Sequence, residues 1–138
     1  MSRGVAPKML VGVDLKKDPV RLHAAYNDAA GVTAAFNLNL LARINRELGA
    51  DFDLRRFRHY AFYNATLGRI EMHLISLEPQ VVRLGRHRFR FATGESLHTE
   101  NSYKYSPEGF GALAASAGFR SAQRWTDRQG LFGLFGLN

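Results

Sequence analysis

The sequence predicts an α+β fold, and two features of the residue pattern lead to this prediction. Apolar residues recur at helical spacing over residues 32–48, whereas residues 57–105 carry several short segments that alternate with a period of two. A further helix and a closing strand follow, so helices and antiparallel strands are segregated along the chain rather than alternating as strand–helix–strand units. The length of 138 residues is that of one domain with one hydrophobic core.

The first element is a strand over residues 9–13, a short apolar run between Lys8 and Asp14. A continuous run of this kind is typical of a strand that is buried on both faces at the centre of a parallel sheet. The chain offers no strand–helix–strand units that could surround it. We therefore expect this strand to pair with the last strand, or with neighbours in another chain or in a segment outside the sequence.

Two helices should follow the first strand. Asp18 and Pro19 are typical of a helix start, and the first helix should extend toward Tyr26. The second helix is predicted over residues 32–48, with Gly49 in the left-handed conformation after it. Its apolar face should consist of residues at three- and four-residue spacing, namely Phe36, Leu40, Leu41, Ile44 and Leu48.

The second half of the chain should be mainly antiparallel strands. The predicted strands cover residues 57–64, 70–74, 81–84, 88–92, 96–105 and 119–125. A hairpin should turn near Gly85, and a helix should begin at Ser106-Pro107 and end near Gly118. The tail, residues 130–138, alternates glycine with large apolar residues and should pack on the rest of the chain, since an exposed tail would be a sticky patch.

Composition excludes several classes of protein. The chain contains 0 cysteines, which excludes disulfides, iron–sulfur clusters and a catalytic thiol. No apolar run approaches the roughly 20 residues of a membrane helix, and residues 1–8 lack the apolar stretch of a secretory signal, so we expect a cytoplasmic protein without membrane contact. The five histidines show no spacing typical of a metal site, so no metal is expected.

The net charge of +7 permits contact with nucleic acid. Residues 83–91 combine four arginines with aromatic residues in a hairpin that could follow phosphates. The alternative is a solubilising polar face whose arginine stems cover apolar surface, and we favour it. Nucleic acid is therefore an unlikely partner.

The most informative segment is the polar strand at residues 94–105. Strict alternation would place His98, Glu100, Ser102 and Lys104 on one face, and Thr99, Asn101, Tyr103 and Tyr105 on the other. A carboxylate and a hydroxyl two residues apart could hold the N–H groups of a polar ring. The alternative is a solvated edge strand.

A second polar cluster lies at residues 25–31, between the two predicted helices. It includes Tyr26, Asn27 and Asp28. The simpler interpretation is that Asn27 or Asp28 caps the second helix and that Tyr26 is half-buried.

Several motifs together resemble those of the histidine-specific S-adenosylmethionine-dependent methyltransferases, the family of the ergothioneine-pathway histidine Nα-methyltransferase. They extend over nearly the whole chain, in order. The motifs are residues 11–18, 25–37, 45–48, 51–54, 69–72, Gly94-Glu95, Thr99-Glu100, Ser102, Lys104 and Trp125-Thr126-Asp127.

The resemblance implies a division of labour in which a Rossmann-like domain binds S-adenosylmethionine and a second domain binds the amino acid. Tyr26 matches the family tyrosine that binds the backbone end of the histidine substrate, and Glu100 and Ser102 match the pair that contacts its imidazole. A carboxylate and a hydroxyl suit imidazole, which has one N–H and a second nitrogen that can be protonated. The reaction implied is methyl transfer to the α-amine of histidine.

The resemblance covers only the C-terminal part of the family, because the glycine-rich cofactor loop and the acidic ribose-binding residue have no counterpart here. We therefore expect a fragment that lacks the N-terminal cofactor domain, binds no cofactor alone, contains no catalytic residue and is inactive alone. Residues 8–18 should be a late strand of the cofactor-domain sheet, residues 19–105 the substrate-recognition subdomain, and residues 106–138 a closing helix, strand and tail. The missing domain would act in cis or in trans.

A different class of function is also compatible with the sequence. The chain could be a non-catalytic subunit that forms a homodimer or pairs with a separate cofactor-binding protein. The first strand, whose neighbours are missing, and the apolar tail would form that interface.

Overall fold

The structure, a computed structural model, describes residues 8–138, which form two compact units with separate cores rather than the one hydrophobic core expected from the length. One unit joins the stretch up to Asp18 with Tyr103–Asn138, and the other is Pro19–Ser102. The elements confirm the predicted α+β class, with antiparallel pairing between the strands. The prediction about a secretory signal concerns residues 1–8, of which residues 1–7 lie outside the described part. No helix within residues 8–138 has the length and apolar character needed to cross a membrane.

The first unit is a three-stranded sheet with one helix. β1 (Met9–Asp14) pairs with β8 (Phe132–Leu137), which also pairs with β7 (Ser121–Thr126). The helix α3 (Pro107–Ser116) begins after Ser106, whose hydroxyl accepts a hydrogen bond from the N–H of Gly109, as expected for a helix cap. Its core consists of Val13, Leu15, Ala114, Phe135 and Leu137.

The tail that was expected to pack is therefore the central strand of this sheet. Glycine is unfavourable in strands, yet here it makes room for rings. A side chain at Gly12 would come within 2.7 Å of the ring of Phe132, and one at Gly133 within 2.7 Å of the ring of Phe135. The alternation of glycine with phenylalanine and leucine thus lets aromatic rings lie over the backbone of the sheet.

The expectation that the first strand is buried on both faces was wrong. Leu10 is 64% exposed and Met9 is 43% exposed, whereas Val13 is buried. β1 lies at the edge of its sheet, and residues 9–13 pair on one side only within the described chain. The expected pairing with the last predicted strand, residues 119–125, was also wrong, because β1 pairs with β8 in the tail, and β7 lies on the other side of β8.

The second unit packs two helices on a three-stranded sheet. α1 (Pro19–Tyr26) and α2 (Val32–Leu48) cover one face of β2 (Phe57–Asn64), β3 (Arg69–Ser76) and β6 (Ser96–Tyr103), in the order β2–β3–β6. β4 (Gln80–Leu84) and β5 (His87–Phe91) form a separate hairpin that turns at Gly85, as predicted. Alternating residues of β2 and β3 contribute to two small cores beneath the helices. Their buried members are Leu22, Leu41, Phe57, Ala61, Ile70, Met72, Leu74, Val82 and Phe91.

The ends of α2 agree with the sequence prediction, but its buried face does not. Gly49 has a positive φ of 66° at the C-terminus. However, Phe36, Leu40 and Leu48 of the predicted apolar face are exposed, and Leu41 is buried together with Asn37. The sheet side of α2 is thus partly polar, and the exposed apolar side chains lie on another side of the helix.

Asp28 caps α2, as the simpler interpretation of the polar junction predicted. Its carboxylate accepts hydrogen bonds from the backbone N–H groups of Thr33, at 2.9 Å, and Val32, at 2.8 Å. These bonds stabilise the carboxylate and lower the pKa of Asp28 to about 2, and the bond from Thr33 has the largest effect. Asp28 thereby fixes the turn that separates α1 from α2.

Candidate functional site

Tyr26 and Ser102 meet directly, although they are 76 residues apart in the chain. The Tyr26 hydroxyl and Ser102 Oγ are 2.8 Å apart, and either oxygen can donate. Tyr26 is the last residue of α1, and Ser102 lies near the end of β6. The structure thus brings together two of the three predicted substrate-binding residues.

Two side chains of α1 and the turn after it form hydrogen bonds with the backbone at the outer edge of β2. Asn27 Oδ1 accepts from the N–H of Ala61, and Asn27 Nδ2 donates to the carbonyl of Ala61, at 3.2 and 2.9 Å. Nε2 of His23 accepts from the N–H of Tyr63 at 3.0 Å. These bonds pair three backbone groups of the edge strand β2 and fix the position of Tyr26 at the end of α1.

The predicted alternation along β6 was wrong at its centre. Thr99 Oγ1 donates to Asn37 Oδ1 on α2 at 2.7 Å, and Ser102 contacts Tyr26 on α1. Both helices cover the same sheet face, so residues three apart point the same way. His98 and Asn101, also three apart, bond to each other at 2.8 Å. The polar strand therefore departs from a period of two between residues 99 and 102.

Glu100 lies at an exposed position beside a groove between α2 and β6. The groove is lined by Phe36, Asn37, Asn39, Leu40, Arg43, Thr99 and Glu100. Arg43 is paired with Glu47 of its own helix at 3.2 Å, and within the described chain Glu100 forms no ion pair. The Glu100 carboxylate is thus available to a ligand. Its role in the same site as Tyr26 and Ser102 stays a prediction.

A further group of polar side chains lies on the sheet face opposite the helices, and the sequence did not predict it. Glu71, His73 and His98 offer ligand-type atoms that all lie within 4.8 Å of one another. Glu71 and His73 are two residues apart on β3, a spacing that places them on one face. That spacing is the sequence signal for the cluster, but the third member comes from another strand.

This cluster is better described as an ion pair beside stacked rings than as a metal centre. Arg69 Nη2 lies 2.8 Å from Glu71 Oε1, and hydrogen bonding from Arg69 lowers the pKa of Glu71 against the effect of burial. The imidazoles of His73 and His98 stack with centroids 4.5 Å apart and planes 16° apart. Lone pairs of nearly parallel rings do not converge on one ion, so a metal would require both rings to turn.

The described residues do not fit S-adenosylmethionine as a binding site of their own. A cofactor of this kind is typically held at a glycine-rich turn between a parallel strand and a helix. The sheets here are built from antiparallel pairs, and α1, α2 and α3 do not follow such a turn.

A family profile and several known proteins match this chain. A profile described as histidine-specific methyltransferase, SAM-dependent, matches residues 2–138. A histidine N-alpha-methyltransferase of Mycolicibacterium smegmatis is 52% identical over 128 residues, and one of Mycobacterium tuberculosis is 48% identical. Ergothioneine biosynthesis protein 1 of Neurospora crassa is 31% identical over 137 residues.

These matches cover most of this chain but a smaller share of its relatives. The alignments include 91% of this chain and 40% of each of the two mycobacterial proteins. For the Neurospora crassa protein the shares are 89% and 14%. The profile nevertheless extends over almost the entire chain, which therefore belongs to the family of histidine-specific, S-adenosylmethionine-dependent methyltransferases.

Proposed function

We propose that this chain is the substrate-recognition part of an S-adenosylmethionine-dependent enzyme that methylates the α-amine of histidine or a closely related amino acid. The observation that carries the proposal is the hydrogen bond between Tyr26 and Ser102, with the exposed Glu100 two residues along the same strand. Family membership and the names of the mycobacterial relatives support it.

Each of the three residues has a role that its chemistry permits. Ser102 Oγ can donate to or accept from an imidazole nitrogen, and the Glu100 carboxylate can accept from an imidazole N–H. A charged acceptor gives the stronger bond, especially toward an imidazolium. The Tyr26 hydroxyl would contact the backbone end of the amino acid. Because Tyr26 and Ser102 already bond to each other, the ligand meets hydroxyls whose positions are set before it arrives.

The cofactor would be bound by a further segment, supplied in cis or in trans. In this scheme residues 8–18 would complete the sheet of that segment, and residues 19–105 would recognise the amino acid. Residues 106–138 would form the closing helix, strand and tail. The chain contributes binding and orientation of the substrate, and the methyl group comes from the cofactor held elsewhere. The chain alone would then be inactive.

A reconstitution assay tests this proposal. The chain alone should transfer no labelled methyl from S-adenosylmethionine to histidine, whereas the chain joined to the cofactor-binding segment of a family member should produce N-methylated histidine. The same joined protein carrying Glu100→Ala is the matched control for the site and should lose most of the activity at limiting histidine. A folded, joined protein that does not act on histidine would contradict the proposal, and turnover by the chain alone would contradict its inactivity.

A specific observation also favours a second candidate, a subunit that assembles through its first unit. Met9, Leu10, Trp125 and Phe132 of that unit's sheet are each more than two-fifths exposed, and residues 9–13 leave one strand edge open within the described chain. Exposed apolar patches and open edges both favour association.

Sedimentation of the purified chain over a hundredfold range of concentration distinguishes the second candidate. It predicts a concentration-dependent dimer that Leu10→Lys weakens by placing a charge on the open edge. Thr126→Lys, at the far end of β7, serves as the control for added charge. A strictly monomeric profile at the highest concentration would exclude self-association as the function.

A further inference from the structure

Asn37 is a buried amide at the centre of a hydrogen-bond network beneath the candidate site. It is only 3% exposed, although it lies on a surface helix. Its Oδ1 accepts from the hydroxyl of Thr99 at 2.7 Å, and its Nδ2 contacts the carbonyl of His73 at 3.1 Å and Nδ1 of His59 at 3.0 Å. The network thus connects α2 to all three strands of the sheet.

The network determines which ring nitrogen of His59 carries the proton. The carbonyl of His73 can only accept, so the atom of Asn37 that faces it must be the amide nitrogen. That nitrogen also faces His59 Nδ1, which must therefore accept and carry no proton. The proton of a neutral imidazole then lies on Nε2, which donates to the carbonyl oxygen of Tyr26 at 2.8 Å.

This last bond holds the residue that forms the site. Tyr26 ends α1, and the last carbonyl groups of a helix have no partner within the helix. His59 provides that partner, while the side chain of the same Tyr26 reaches Ser102. A path of direct hydrogen bonds therefore leads from Thr99 through Asn37 and His59 to Tyr26.

We propose that His59 is a positioning residue of the substrate site, which holds Tyr26 in place through its backbone carbonyl, and that Asn37 selects the required tautomer. This inference rests on the proposed function in one respect, namely that Tyr26 contacts the amino-acid substrate. His59 itself touches no substrate in this account. It acts by restricting the backbone of Tyr26, so that the hydroxyl stays beside Ser102.

A pair of substitutions separates positioning from a general contribution to folding. His59→Gln keeps a donor near the place of Nε2, whereas His59→Asn places its amide near Nδ1 and cannot reach the carbonyl of Tyr26. In a full-length family enzyme that carries this chain, His59→Asn should raise the KM for histidine about tenfold, the size expected for one lost hydrogen bond. His59→Gln should remain within about threefold, and the KM for S-adenosylmethionine should be unchanged in both.

The two variants distinguish a positioning role of His59 from a contribution to folding alone. Rescue by glutamine with loss in asparagine, at matched melting temperatures, supports positioning. Equal losses in both variants that follow a lowered melting temperature would show a merely structural role and overturn the proposal. Wild-type KM for histidine in a folded His59→Asn enzyme would also overturn it.

The tautomer itself can be measured in this chain without any substrate. Nitrogen-15 NMR of the imidazole at neutral pH should show His59 protonated at Nε2 and not at Nδ1. Asn37→Asp replaces the amide donor with an acceptor and should move a proton to Nδ1. A proton at Nδ1 in the wild type would overturn the inference. Failure of the wild-type enzyme to bind histidine would instead overturn the proposed function, so the two failures are distinguishable.

Discussion

Replacing Glu100 with alanine should weaken histidine binding by roughly tenfold to a hundredfold, the range for a lost hydrogen bond between a carboxylate and an imidazole N–H. Glu100→Gln should fall in between, since it retains an acceptor and loses the charge. Ser102→Ala should cost roughly fivefold to tenfold, because it removes one neutral hydrogen bond to the ligand and also the 2.8 Å hydrogen bond to the Tyr26 hydroxyl. Isothermal titration of the full-length enzyme with histidine measures all three affinities.

Controls for this prediction are available on the same strand. Ser96→Ala changes an exposed hydroxyl at the start of β6 and should bind histidine like the wild type. Because Glu100 is exposed, Glu100→Ala should also keep its melting temperature, so a loss of affinity reflects the ligand rather than the fold. Unchanged histidine affinity in both Glu100→Ala and Ser102→Ala would show that this strand does not form the site.

Replacing Asp14 with asparagine should destabilise the first unit by about 1–3 kcal/mol, the cost of removing the charged partner of a buried ammonium when that partner is itself one-third exposed. The side chain of Lys104 has an exposure of 0%, and its Nζ lies 2.8 Å from Asp14 Oδ2. Without the carboxylate, this buried ammonium would lose its ion pair with Asp14. Lys17 pairs with the other oxygen at 2.5 Å, is partly accessible, and serves as the control, since Lys17→Met should cost far less. Chemical denaturation of the chain measures the difference.

The same pair predicts how stability depends on pH. Burial raises the pKa of Asp14, but the ammonium groups of Lys104 and Lys17 outweigh it, so the pKa lies below its usual value. A lowered pKa in the folded state means that the carboxylate stabilises the fold above about pH 4, the ordinary value for aspartate. That contribution is lost as pH falls through the lowered pKa. The stability difference between wild type and Asp14→Asn should therefore shrink in acid. A difference that is near zero at pH 7 would contradict this assignment.

Local signals in the sequence predicted the helices closely. Asp28, Gly49, Ser106 and Gly118 are punctuating residues whose effect depends on their own backbone, so α2 and α3 begin and end near the predicted positions. The strand texture of β2 and β3 was equally readable, because it depends on alternation within one segment.

Elements that depend on distant partners were harder to predict. The glycine-rich tail has low strand propensity, and only the rings of Phe132 and Phe135, which require bare backbone at Gly12 and Gly133, explain why it forms β8. The prediction of the apolar face of α2 was wrong for a related reason. Asn37 can be buried in place of an apolar residue because His59, His73 and Thr99 satisfy its amide, and no local pattern shows those partners.

The site residues stay a prediction, and the structure tests only their placement on the strand. Tyr26, Glu100 and Ser102 followed from the resemblance, and alternation put Glu100 and Ser102 on one face. The same alternation placed Thr99 on the other face, which its bond to Asn37 contradicts. His59 was not predicted as a positioning residue, since the role proposed for it depends on a carbonyl 33 residues away. A polar residue at an inward position of a helix or strand is the signal that could have indicated it.

The most direct test of the central claim is to determine where histidine lies in a full-length family enzyme that carries this chain. One imidazole nitrogen should lie within hydrogen-bond distance of the Glu100 carboxylate, the ring should contact Ser102 Oγ, and the backbone end of histidine should lie at the Tyr26 hydroxyl. A histidine bound with none of these three side chains in contact would contradict the proposed function, whatever the activity of the enzyme.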